Sequence, residues 1–199
     1  MTNIYEKGLS KTIYVNGIVV GEYVTTGDPQ KDIEAAHEII KSKGLHKETT
    51  EVDAMHSQAN SFANTAKELY ERDLRTVPIR NSMSMVPFVV NAAFSIEIYL
   101  KTLHAISGDK VRGHSLVKLY DDLGDDIKII IQSAVEDLRR YYDVEGGTEF
   151  ADCIETLDKA FEQWRYAYEY EKLSYVGFQA TRFVYHVLHE SCCRARPKE

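Results

Sequence analysis

Arg182, His186 and His189 lie at offsets of four and seven residues, a spacing that puts all three on one face of an α-helix. An imidazole changes protonation near neutral pH, so it can take a proton from a ribose 2′-hydroxyl. A guanidinium can stabilise the charge that develops on a phosphate, and neither step needs a metal. The trio is the candidate catalytic constellation. The competing reading is an ordinary solvated helix face.

Four other positions, with a fifth close by, supply candidate substrate-binding groups. Glu97 and Lys101 are four residues apart in an otherwise apolar stretch, the spacing of an intrahelical ion pair or of a charged pair lining a cleft. Arg112 and His114 flank Gly113 just before a helix expected at Ser115. Cations beside a helix N-terminus suit a phosphate, although a plain capping loop has the same composition. In FEQWRYAYEY, the spacing puts Phe161, Trp164 and Tyr168 on one face with Arg165 beside them. Such a stripe is either core or a surface for stacking bases and neutralising phosphates.

Metal and cofactor chemistry find less support in the spacing. His37, His46, His56, His104 and His114 form no tight ligand pair such as HExxH or a paired-cysteine knuckle, so no metal site is predicted. The glycines trace neither a dinucleotide-binding pattern nor a P-loop, no GxSxG elbow is present, and no cofactor is expected. Cys153 reads as a small helix residue. The adjacent Cys192 and Cys193 make a poor disulfide framework, which agrees with a reducing compartment.

With 24 basic and 31 acidic side chains the formal charge is −7, so no whole-protein field draws in nucleic acid and any RNA contact must be a local patch. No continuous apolar run approaches the roughly 18 residues of a membrane span, and the N-terminus lacks a signal-like hydrophobic stretch. A cytoplasmic protein without a membrane partner is expected.

The elements that must position these residues follow from periodicity. Residues 11 to 24 are rich in β-branched and aromatic side chains around Asn16-Gly17, which predicts a β-hairpin. Asp28-Pro29 then opens a helix to Lys43 with an apolar stripe of Ile33, Ala36, Ile39 and Ile40. Residues 1 to 49 form this accessory ββα module. The remainder, 50 to 199, reads as a helical bundle. A capping box at Thr50 and Asp53 starts a helix to Leu74, and a nearly all-apolar central helix runs from Pro87 to Ser107. A short helix spans Ser115 to Leu123, and longer ones run over 125 to 142, 149 to 169 and 172 to 192. Short connections favour an up-and-down arrangement.

The blocks NAAFSIEIYLKTL (91 to 103), GHSLVKLYDDL (113 to 123) and FEQWRYAYE (161 to 169), in this order and spacing, resemble the HEPN superfamily. The resemblance covers about residues 52 to 190 and leaves out the ββα module. It implies an up-and-down bundle, commonly a homodimer, and in many members a metal-independent endoribonuclease of a defence or toxin–antitoxin system. In those members an arginine and a histidine four to six residues apart on a late helix meet across the dimer. Here six residues separate Arg182 from His189, and Phe183 stands where a polar residue usually follows the arginine. Other members are non-catalytic and bind RNA, nucleotides or proteins, so the resemblance also admits an interaction module that docks a protein partner through the ββα unit.

Overall fold

Asp28 ends the first connection by accepting a hydrogen bond from the Gln30 amide at 3.0 Å, and Pro29 occupies the first helical position, where no N–H is needed. The computed structural model describes residues 6–15, 17–46, 49–144, 148–169, 171 and 175–196, the side chains of 162, 165 and 167 excepted. It divides into two units, 1–49 and 50–199.

In the first unit, β1 (Ser10–Val15) and β2 (Ile18–Val24) pair antiparallel, with an irregularity between Ile13 and Tyr14. Gly17 supplies a positive φ of 80° at the turn; Asn16, its expected partner there, lies outside the described residues. Helix α1 (Pro29–Ser42) lies so close to β2 that a Cβ on Gly21 would sit 2.7 Å from Ile39 Cγ2. The expected apolar stripe is corrected at its start, because Ile33 is 51% exposed. Buried Asp32 turns inward instead, accepting from the amide and hydroxyl of Thr26, each at 2.7 Å.

In the second unit, Thr50 caps α2 (Glu51–Leu69) by accepting from the Asp53 amide at 3.1 Å. The helix then continues through a π-helical turn, Tyr70–Leu74. After a 3₁₀ turn, Ser82–Ser84, come α3 (Met85–Ile106), α4 (Leu116–Asp121) and α5 (Asp125–Leu138). Helix α6 (Phe150–Arg165) and α7 (Phe178–Ala195) complete the unit. The described residues are 67% helical, which makes them mostly α with one small antiparallel sheet.

Helix α3 packs against α2, α4, α6 and α7, and Phe88, Ala92, Ile96, Leu100 and Leu103 on it are fully buried. Its apolar character all round follows from having neighbours on every side. Ser82–Ile106 is long and apolar enough to cross a membrane, with a mean hydropathy of 1.5, contrary to the expectation that no segment qualifies. More than half of that window, 56%, is buried within the protein, as suits a core helix.

The last helix starts at Phe178 rather than 172, since residues 175 to 177 are non-helical and Gly177 is its N-cap. The aromatic stripe of α6 is shorter than predicted. Phe161 and Trp164 are buried, but the α-helix ends at Arg165, and Tyr168 on the following 3₁₀ turn, Ala167–Glu169, is exposed.

Candidate functional site

Helices α2 and α7 run antiparallel, and a polar stripe from each lines the groove between them. On α2 and its π turn the stripe is Asn60, Asn64, Lys67 and Glu71; on α7 it is Arg182, His186, His189 and Cys193. Both sets step by four, three and four residues, so each is one helix face. Rungs fix the pairing: Glu71 with Arg182 at 3.3 Å, Asn60 with His189 at 2.9 Å, and Arg196, just past α7, with Asp53 at 3.3 Å. A cavity of about 230 Å³ in this groove is lined by Asn60, Asn64, Lys67, Tyr99, His186 and His189, among others.

Asn60 orients His189. Its Oδ1 accepts from the Tyr99 hydroxyl at 2.6 Å and lies 2.9 Å from His189 Nδ1. A carbonyl oxygen only accepts, so Nδ1 carries the proton and the neutral ring has its lone pair on Nε2. His186 is held from the other side by the Tyr142 phenol at Nδ1. Burial raises the pKa of that phenol, so it keeps its proton. A phenol can donate or accept; where it donates, neutral His186 carries its own proton on Nε2 and the two imidazoles are opposite tautomers, one with a basic Nε2 and one with an acidic Nε2–H.

Burial lowers the pKa of His189. It also lowers that of His186, with the charges of His189 and Arg182 acting in the same direction. Both rings therefore favour the neutral form. Arg182 is deeply engaged: its guanidinium lies 4.2 Å from the Tyr70 ring centroid, donates to Gln179 at 3.2 Å and pairs with Glu71. Its buried Nε has no hydrogen-bond partner among the described residues. Phe183, where the resemblance leads one to expect a polar residue, is fully buried against Tyr142 and Phe150.

One turn further along the groove, His56 of α2 stacks on His189, with centroids 5.3 Å apart and planes within 10°. Cys193 Sγ is 3.7 Å from His189 Nε2 and 4.0 Å from His56 Nε2. Burial, then the charges of Arg196 and His189, push the His56 pKa down to about 4. The histidine spacings gave no hint of this cluster, because its members come from helices more than 130 residues apart.

The remaining predicted residues gather elsewhere. Buried Glu97 accepts from Lys101 Nζ at 2.7 Å and lies 2.9 Å from His114 Nδ1, both at Oε1, while Oε2 is buried without a partner among the described residues. Arg112 and His114 line a separate cavity of about 290 Å³ with Lys118 and Asp122. The Arg165 side chain lies outside the described residues. So the structure brings Arg182, His186 and His189 to one groove and leaves the Glu97 cluster apart from it. Sequence reasoning missed Asn60, Asn64, Lys67, Tyr99 and Tyr142. The four-three-four polar stripe on α2 was a readable signal for the first three; nothing local marked the two tyrosines. No family model, characterised protein or solved structure matches the chain.

Proposed function

We propose that the bundle unit, residues 50 to 199, is a HEPN-type module that acts on RNA as a homodimer, with the groove between α2 and α7 as its cleavage site. The observation that carries the reading is the pair of imidazoles, each held at Nδ1, in a cavity that also holds a lysine. His189 Nε2 takes the proton of a ribose 2′-hydroxyl, and the resulting oxygen attacks the adjacent phosphorus. His186 Nε2–H gives its proton to the departing 5′-oxygen. Lys67 and Arg182 neutralise the pentacoordinate phosphate, Arg182 by exchanging its Glu71 contact for a phosphate oxygen. A cavity of about 230 Å³ is smaller than the ~300–1,000 Å³ pockets that enclose whole small molecules. It suits a stretch of chain threaded along the groove better than an isolated nucleotide.

The test is incubation of purified protein with total RNA and tRNA in EDTA, comparing wild type with the double variant Arg182→Ala, His189→Ala. Cleavage by wild type alone supports the reading; equal cleavage by both, or by neither, removes it. A second reading, a non-catalytic interaction module, rests on the first unit. Its sheet has only two strands, and Tyr14, Ile18, Val19 and Val24 on it are exposed, which suits addition of a partner's strand or apolar surface. Deleting residues 1 to 49 abolishes partner binding in that case and leaves RNA cleavage intact in the first.

A further inference from the structure

His56, His189 and Cys193 offer three ligand atoms within 4.8 Å of one another. From this geometry we infer that the α2–α7 groove holds a transition-metal site of the Zn²⁺ type, with these three side chains as ligands and one coordination position open.

The argument starts from distances. Zn–S near 2.3 Å and Zn–N near 2.05 Å at a tetrahedral angle place sulfur and nitrogen about 3.6 Å apart. The two sulfur–nitrogen separations here are 3.7 Å and 4.0 Å, within a few tenths of an ångström of that value, and the remaining adjustment falls on the His56 ring. The donor set selects the metal class. Two imidazoles and a thiolate suit Zn²⁺ or a similar borderline-soft ion, whereas Mg²⁺ and Ca²⁺ demand oxygen.

The support around one ligand is already built. A metal-bound histidine characteristically donates its other ring N–H to a fixed acceptor, and His189 Nδ1 does so to Asn60 Oδ1, itself held by Tyr99. This leaves Nε2, the atom facing Cys193, as the lone-pair donor. Cys193 lies four residues after His189 on α7, so one helix face presents both. His56 approaches from α2 and is buried. In the parallel stack the two ring lone pairs do not converge, so coordination requires the His56 ring to tilt away from its 10° alignment. Three protein ligands and an open fourth position characterise zinc sites that keep a bound water or substrate atom, rather than closed structural ones.

On binding, the Cys193 S–H bond breaks, its proton leaves to solvent, and the sulfur lone pair forms the bond to the metal. The site stands on its own geometry, whether or not the bundle acts on RNA. Where both hold, metal and proton compete for the same nitrogen of His189.

Two measurements on the full chain test it. First, Cys153 and Cys192 are buried and Cys193 is exposed, so iodoacetamide applied to the folded protein alkylates Cys193, as read by mass spectrometry. Zn²⁺ is expected to protect this thiol and Mg²⁺ is not. Second, titration with Co²⁺ is expected to give one ion per chain and a thiolate-to-cobalt charge-transfer band. The band should vanish in Cys193→Ser, and binding should weaken at least about a hundredfold in His56→Asn, beyond the ~10–100-fold expected for Asn60→Ala as a supporting group. Unprotected alkylation with Zn²⁺ present, or absence of the charge-transfer band in wild type, overturns the inference even if a variant fails to fold. Cobalt binding that survives Cys193→Ser unchanged also overturns it. None of these readouts involves RNA, so a failure here is separable from a failure of the cleavage reading.

Discussion

Replacing Asn60 by Leu removes the one acceptor shared by Tyr99 and His189 while keeping a branched side chain of similar size. Two donors lose their partner: the hydroxyl of Tyr99, a residue only 1% exposed, at 2.6 Å, and His189 Nδ1–H at 2.9 Å. An orphaned buried donor costs about 1–3 kcal/mol, whereas losing one neutral hydrogen bond without leaving an orphan costs about 0.5–1.5 kcal/mol. Tyr99→Phe is the second kind of change, since Asn60 keeps His189. At about 2–4 °C per kcal/mol for a chain of this size, and with the Tyr99 hydroxyl as the one orphan in a fully buried residue, His189 being only half-buried, Asn60→Leu lowers Tm by roughly 2–12 °C and Tyr99→Phe by roughly 1–6 °C. Because part of the Asn60→Leu cost is the stranded Tyr99 hydroxyl, the double variant is less destabilised than the sum, by about 1 kcal/mol. Strict additivity of the two changes refutes the account of how this ring is set.

Three further outcomes follow from particular contacts. Asp73 is held down to about 2 by hydrogen bonds from Arg72 at 2.7 and 3.0 Å and from Ser84, below its ordinary value of 3.8. A folded pKa below the unfolded one contributes stability that is complete above the ordinary value and is lost as pH falls from there towards 2. Asp73→Asn should flatten the acid side of the urea-midpoint profile over that window and leave its shape near pH 7 unchanged. RNA binding should be only weakly salt-dependent. With Lys67 and Arg182 as the phosphate partners, the slope of log K against log salt for a single strand is about −1.4, and a slope several times steeper in filter binding would point to a different surface. Zn²⁺ at 100 times its Kd should stabilise wild type by about 2.7 kcal/mol, or roughly 5–11 °C in Tm, with no shift for Cys193→Ser.

Legibility in the sequence tracked how local each determinant is. The caps at Asp28 and Thr50 and the all-apolar α3 could be read because each depends on neighbours within a turn or two. The shared face of Arg182, His186 and His189 was legible for the same reason. Where reading failed, contacts outside the apolar repeat mattered. Ile33 is exposed while its neighbour Asp32 is held inward by Thr26, and the last helix begins late, at Phe178. Glu97 offered a charged pair at helical spacing, but its further partner, His114, lies in a loop 17 residues away. The opposite wall of the groove was out of reach of spacing arguments, since Asn60 and His189 are 129 residues apart. Only the periodic polar stripe of α2 hinted that something faced it.

The pairing of α2 with α7 also bears on how the protein comes to possess its site. The rungs join residues 111 to 143 positions apart, contacts that are slow to form because the loop they close is long. Every catalytic and ligand atom discussed above needs both walls, so no partly folded form that lacks the docked last helix can have either function. The groove is thus a checkpoint on completion of the fold. Under the proposed RNA cleavage, this arrangement withholds the chemistry until α7 has docked on α2.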